Sequence, residues 1–333
     1  MSYLLEPLIE GKLNLKNRLV LPPMATAKCE EDGTMSQDIL DYYDEKSKGG
    51  HIGLVIIEHS FVSPDGKARK RQLSVASDEM VVDLRKLSEM IHKNGSKAVM
   101  QINHTGSAAS FEVTGMQAVS SSAVQLSTKE GAVLPRELTI EEIQTLTGKF
   151  RSAARRVKEA GFDGVEIHSA HGYLLNQFFS PLTNKRTDEY GGDVLHRIRF
   201  HLEVIRAIRE EVGEDYPILL RLGASDYMAG GSDVEDSKVA ASAFEKAGVD
   251  ILDISGGFCG YTRPEASEEG YFSPLTEAIR KVVSIPVILT GGITSADAAE
   301  KLLAEKKADL IGVGRAILSD SRWPEKAIES LKA

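Results

Sequence analysis

The sequence predicts a (β/α)8 barrel of the TIM-barrel class, with an N-terminal β-hairpin capping one mouth. Three observations carry this. Eight short runs are apolar on both faces, as strands buried in a parallel sheet must be. Segments of helical period alternate with them, the order of an α/β fold. No G-x-G-x-x-G turn follows the first run, where an open dinucleotide-binding sheet would carry one.

Taken in order, residues 8–15 alternate Leu8, Leu13 and Leu15 around a turn at Glu10–Gly11, which reads as the hairpin. The apolar runs are 18–22 (RLVLP), 54–58 (LVIIE), 97–102 (KAVMQI), 163–168 (DGVEIH), 217–222 (PILLRL), 250–254 (DILDI), 285–290 (IPVILT) and 309–313 (DLIGV). Each is rich in Val, Ile and Leu and short enough for one barrel strand. Between them, Thr139 with Glu142 three residues on reads as a capping box. Ile143, Leu146, Phe150, Ala154 and Val157 follow at helical spacing, and Gly161 ends the segment. Asp233 opens another segment through Ala240, Phe244 and Ala247 to Gly248, and Ser295 opens one through Leu302 and Leu303.

Composition bounds the function. The 333 residues are 42% hydrophobic and 27% charged, enough apolar material for a real core. At about 150 residues per domain the length allows two units, but barrels of this class pass about 250 residues as one. No linker or low-complexity tract divides the chain, so residues 1–333 read as a single domain. The balance of 40 Lys and Arg against 49 Asp and Glu leaves a net charge of −9, which argues against nucleic acid or an anionic membrane as partner and favours a small molecule. Cys29 and Cys259 lie far apart, with no disulfide, metal or iron–sulfur spacing. No secretory leader and no run of about 18 apolar residues is present, and the reading is cytoplasmic.

In such a barrel the chemistry sits at the C-terminal ends of the strands. The candidates there are few: Pro23–Met24–Ala25, Glu58–His59, Gln101, His168 and His171, Arg221, Gly291–Gly292 and Gly314–Arg315. A Gly–Gly turn alone reads as a tight turn. Two glycine turns after the last two strands, with Arg315 and a helix opened at Ser295, point to a bound phosphate. His168 and His171, three apart, suit metal ligands, a hydrogen-bonding clamp or satisfied polar groups. A metal needs a third ligand, which neither Cys nor a further His nearby supplies, though an acid such as Glu58 is left open. Tyr173 makes the three a donor cluster, with imidazole N–H groups for a carbonyl oxygen and a phenol to deliver a proton.

A family resemblance joins these residues. His168-Ser-Ala-His171-Gly-Tyr173, the following Gln177-Phe-Phe-Ser-Pro-Leu-Thr-Asn-x-Arg-x-Asp-x-Tyr-Gly-Gly192 and the entry Asn17-Arg-Leu-Val-Leu-Pro-Pro-Met24 closely resemble the old yellow enzyme family of NAD(P)H:flavin oxidoreductases, from about residue 3 to residue 330. The resemblance implies tightly but non-covalently bound FMN, NADH or NADPH as reductant, and reduction of the activated C=C bond of α,β-unsaturated carbonyl compounds. By matched position, Pro22, Pro23, Met24 and Ala25 line the flavin, and the backbone at His59 approaches the same edge. Gln101 bonds the pyrimidine side, and Arg221 faces N1/O2. Gly292, Gly314 and Arg315 hold the phosphate. His168 and His171 bind the substrate carbonyl and Tyr173 is the proton donor, with ping-pong kinetics at one shared site.

The chain departs from familiar members at Ala25, where bacterial relatives carry Cys and eukaryotic ones Thr, and at Ala27, which replaces an aromatic contact. Thr26 can substitute at the flavin only by pointing inward. Larger relatives continue into cluster- and nucleotide-binding domains that this chain lacks, so a free-standing barrel is expected. A homo-oligomer is compatible with the family. Arg322, near where some relatives reach a neighbouring subunit, reads as a surface charge. The alternatives are another FMN barrel, of dihydrouridine synthase or dihydroorotate dehydrogenase type, and a flavin-free phosphate-binding isomerase.

Overall fold

A computed structural model describes residues 2–9, 11–126 and 133–332 and places the eight predicted runs in one closed sheet. The strands are β1 (Leu19–Leu21), β2 (Leu54–Phe61), β3 (Lys97–Asn103), β4 (Gly164–Ser169), β5 (Ile218–Gly223), β6 (Ile251–Ser255), β7 (Val287–Thr290) and β8 (Leu310–Gly312). All pair in parallel in sequence order, and β1 closes on β8 through Leu19 opposite Ile311. Every residue of β2, β4, β5 and β6 is buried, which is why these runs lack a polar face.

Among the described residues, eight helices of eight or more residues jacket the barrel: α1 (Gln37–Ser47), α2 (Met80–Lys93), α3 (Ile140–Glu159), α4 (Arg199–Val212), α5 (Val234–Ala247), α6 (Ser273–Arg280), α7 (Ala296–Ala304) and α8 (Trp323–Lys332). The capping box of α3 is complete: the Thr139 side chain accepts from the Glu142 N–H, and the Glu142 carboxylate accepts from the Thr139 N–H. Removing such a cap costs about 1 kcal/mol. The apolar stripe of α3 is buried from Ile143 to Val157. Asp233 caps α5, and Gly248, at φ +111°, ends it in the left-handed region that glycine tolerates without strain.

The barrel interior is filled in layers. Leu54, Val99, Leu219, Ile251, Ile288 and Leu310 form an apolar lower layer that Leu8, Leu13 and Leu15 plug from the N-terminal mouth. Leu8 and Leu15 exchange backbone hydrogen bonds of 2.9 Å as an antiparallel bridge, so the cap is present; Glu10 of its turn lies outside the described residues. Ion pairs close the same mouth, Lys12 to Asp250 at 2.9 Å and Arg280 to Asp309 at 2.7 Å. Among the described residues no helix is long and apolar enough to cross a membrane.

Candidate active site

Side chains two residues along a strand share a face, so the residues that follow the apolar layer point into the barrel one layer higher. Val99 is followed by Gln101, Leu219 by Arg221, Ile251 by Asp253 and Ile288 by Thr290; Glu166 on β4 completes the ring. Register sets neighbours: Gln101 lies opposite Glu166, His168 opposite Arg221, and Arg221 opposite Asp253. Gln101 Nε2 donates to Glu166 Oε1 at 2.7 Å, and Arg221 Nε lies 3.2 Å from Asp253 Oδ2. Burial pushes both carboxyls up. The charge of Asp253 raises Glu166 further, and the Arg221 guanidinium restrains both rises. Gln101 and Arg221 stand where the sequence expects them. Glu166 and Asp253 are partners it did not single out.

Above this layer His168, His171 and Tyr173 converge as predicted, and the imidazole of His59 joins them. The His168 ring centroid is 5.2 Å from His171 and 5.0 Å from Tyr173; that of His59 is 5.5 Å from Tyr173. Tyr173 Oη lies 3.3 Å from His59 Nε2. His171 sits at φ +58°, a left-handed conformation for a non-glycine residue, and its Nε2 meets Ser255 Oγ at 2.8 Å. That bond leaves Nδ1 for a ligand. Burial pushes His59 down to about 3, helped by the charges of Arg69 and Arg221, and holds His168 and His171 well below the ordinary imidazole range. All three are neutral at pH 7, each with one N–H to donate. Burial raises the Tyr173 phenol, against the opposing charge of exposed Arg69, so the phenol keeps its proton.

The loop after β1 is fixed from below. A register shift in β2 between Ile57 and Ser60 turns Glu58 toward that loop, where its buried carboxyl accepts from the Thr26 N–H at 2.7 Å and the Thr26 hydroxyl at 2.6 Å. The Thr26 hydroxyl is therefore committed to Glu58 rather than free to replace the side chain missing at Ala25. The His59 carbonyl accepts from Gln72 Nε2 at 2.8 Å, so the imidazole is what this residue turns toward Tyr173.

The glycine turns are also in place. Gly292 has φ +69°, and a Cβ there would stand 2.6 Å from the Tyr271 ring; at Gly314 it would stand 2.9 Å from Met24 Sδ. The backbone of both loops thus packs directly on the rim beside Arg315, whose Nη2 lies 3.2 Å from Tyr271 Oη. One expectation changes. The helix start at Ser295 is already filled by the Glu269 carboxylate, which accepts from the Thr294 and Ser295 N–H groups and both hydroxyls. A carboxylate is favoured at that positive helix end, and the anion cradle reduces to Gly292, Gly314 and Arg315. Arg322 is exposed and pairs with Glu325 at 2.9 Å. Among the described residues no group of three or more His, Cys, Asp or Glu is arranged to hold a metal ion.

These features fit FMN. Buried polar atoms without a hydrogen-bond partner, His168 Nδ1 and, despite its ion pair with Asp253, Arg221 Nε among them, suit a planar ring with polar edges, and the glycine turns with Arg315 suit its phosphate.

The model of the NADH:flavin oxidoreductase / NADH oxidase family matches residues 3–333. An NADH oxidase of Thermoanaerobacter brockii is 45% identical over 96% of this chain and 50% of its own length. An NADPH dehydrogenase of Geobacillus sp. (strain WCH70) is 37% identical over 99% of this chain and 95% of its own. A solved 2-naphthoyl-CoA reductase complex superposes with a TM-score of 0.93 at 29% identity, covering 98% of this chain and 52% of that one. The chain thus spans about half the length of the first relative and of that solved chain.

Proposed function

The chain belongs to the NADH:flavin oxidoreductase / NADH oxidase family, the old yellow enzyme family whose motifs its rim resembles, and from that premise we propose that residues 1–333 act as one FMN-binding unit that uses NADH or NADPH to reduce the activated C=C bond of α,β-unsaturated carbonyl compounds. The observation that carries the reading is the convergence of two neutral imidazoles and a protonated phenol over a buried Arg221.

When bound, FMN supplies a hydride acceptor and donor. Pro22, Pro23, Met24 and Ala25 on the Glu58-anchored loop would hold one edge of its ring, Gln101 the pyrimidine side, and Gly292, Gly314 and Arg315 its phosphate. Arg221 would stabilise negative charge at N1/O2, a fixed cation acting where water is excluded.

His168 and His171 grip the substrate carbonyl oxygen. Their neutrality matters, because an imidazole N–H donor polarises a carbonyl without giving up its proton. Ser255 orients the His171 ring for this task. Electron density drawn to the oxygen makes the β-carbon electrophilic, and Tyr173 delivers a proton to the α-carbon from a phenol kept protonated by burial. Reductant and enone use the same face of the site, so the kinetics are ping-pong. A yellow protein whose colour is bleached by NAD(P)H and restored by an enone without oxygen supports the reading; an enone that never restores it refutes it.

A further inference from the structure

Beneath the rim lies a group of ionisable side chains for which the proposed reaction has no use. Asp253 on β6 and Glu166 on β4 are both 0% exposed. Three side chains face Asp253: Arg221 from β5, its ionic partner; Thr290 from β7, which bears on its carboxyl; and Glu166 across the barrel, whose charge is coupled to it. Gln101 from β3 takes the other side of Glu166. The histidines overhead, His59, His168 and His171, are neutral. Both Asp253 oxygens and Glu166 Oε2 lack a well-formed hydrogen bond.

One guanidinium cannot balance two carboxylates at this depth, since an uncompensated buried charge is strongly disfavoured. Arg221 lies directly against Asp253, whereas Glu166, raised by burial and by the charge of Asp253, has only the Gln101 amide at hydrogen-bond distance. The resting arrangement is a protonated Glu166 beside an Asp253–Arg221 ion pair, which is electrically neutral.

We propose that Asp253 binds one proton when a flavin held over Arg221 is reduced, so that reduction of the flavin and protonation of the barrel interior are one coupled event. The proposal rests on the flavin reading above. Reduction adds a negative charge on the side of the ring that Arg221 serves. Two anions then compete for one cation, and the one that can be neutralised by a proton from solvent is Asp253. Two electrons and one proton enter the flavin, delivered as hydride by NAD(P)H, which leaves as NAD(P)+. A second proton is taken up from solvent and forms an O–H bond on Asp253, which ends its ion pair with Arg221 and leaves the guanidinium, still cationic, to balance the reduced flavin. No other bond breaks. Asp253 is a positioning residue here, acting on the flavin through Arg221.

The test is the midpoint potential of the flavin-loaded protein measured against pH, between about pH 5 and pH 9, for the wild type, Asp253→Asn and Glu166→Gln. In the neutral range the wild-type potential falls twice as steeply with pH as that of Asp253→Asn, since two protons rather than one accompany two electrons. Glu166→Gln keeps the steep slope, because a carboxamide replaces an acid that is already neutral. A wild-type slope of one proton per two electrons throughout overturns the proposal whether or not the variants fold. So does an undiminished slope in Asp253→Asn. Protein that binds no flavin at all refutes the flavin reading and the proposal with it, whereas a flavin-loaded protein with the shallow slope refutes the proposal alone.

Discussion

Replacing Tyr173 with Phe removes one oxygen atom and separates catalysis from folding. The hydroxyl reaches His59 Nε2 at 3.3 Å, at the long end of hydrogen-bond distances. The ring contacts with His168 and His59, at 5.0 and 5.5 Å, remain. Loss of that bond costs about 0.5–1.5 kcal/mol at most and opens no cavity, so the variant folds and binds flavin. The loss of a positioned proton donor is larger, about 10²–10⁴-fold in rate, or roughly 3–5 kcal/mol at about 1.4 kcal/mol per tenfold. Anaerobic stopped-flow measurement separates the two half-reactions. Flavin bleaching by NAD(P)H needs only hydride and is expected to stay within about twofold of wild type, while reoxidation by 2-cyclohexenone slows by about 10²-fold or more. Equal slowing of both half-reactions, or no slowing with the enone, would refute the role given to this phenol.

Other consequences follow from the same geometry. His168→Ala with His171→Ala removes two neutral donors and weakens binding of phenolic ligands, whose oxyanion imitates a polarised carbonyl, by roughly 10- to 100-fold in a spectral titration; unchanged binding would mean the clamp is misassigned. His201 on α4 is buried against Phe244, with its Nε2 2.7 Å from Ser169 Oγ, and burial holds it down to about 3. Below about pH 6.5 the unfolded chain binds a proton there that the native state refuses, so acid removes about 1.4 kcal/mol per pH unit until the folded group titrates near 3. His201→Gln should flatten the loss of thermal stability between pH 6 and 4, and an identical slope would count against this account. Glu269→Ala strips the acceptor from the Thr294 and Ser295 N–H groups at the entry to α7, whose own cap, Ser295 Oγ accepting from the Ala298 N–H, remains, and lowers stability by about 1 kcal/mol, read as a drop in thermal midpoint; no drop would mean that water replaces the carboxylate at no cost.

The sequence and the structure agree where a residue's role depends on its own strand. Each run that lacks a polar face proved to be a strand buried on both sides, and the candidates lie toward the C-terminal ends of those strands, Gln101 and Arg221 in the layer beneath His168 and His171. What escaped depends on pairs set by barrel closure. Glu166 and Asp253 are acids inside apolar runs, a signal visible in the sequence. That they share Arg221 follows only from the register of three strands, which local pattern does not specify. The β2 register shift that aims Glu58 at Thr26 leaves no mark in the run LVIIE. Glu269 anchors the turn before α7 from 26 residues upstream of its N-cap Ser295, beyond the reach of a capping motif read at three-residue spacing. The helix Leu174–Phe179 is buried at every position and so shows no helical period at all.

The central claim is that this barrel carries a flavin through which NAD(P)H reduces an activated C=C bond at His168, His171 and Tyr173. It is tested most directly by purifying the protein with FMN supplied, reducing it anaerobically with NADH or NADPH, adding 2-cyclohexenone, and following the flavin absorbance together with the product. The account predicts stoichiometric bleaching by the nicotinamide and return of the oxidised spectrum with formation of cyclohexanone. Colourless protein that takes up no FMN, or a reduced flavin that oxygen reoxidises while the enone does not, would contradict it.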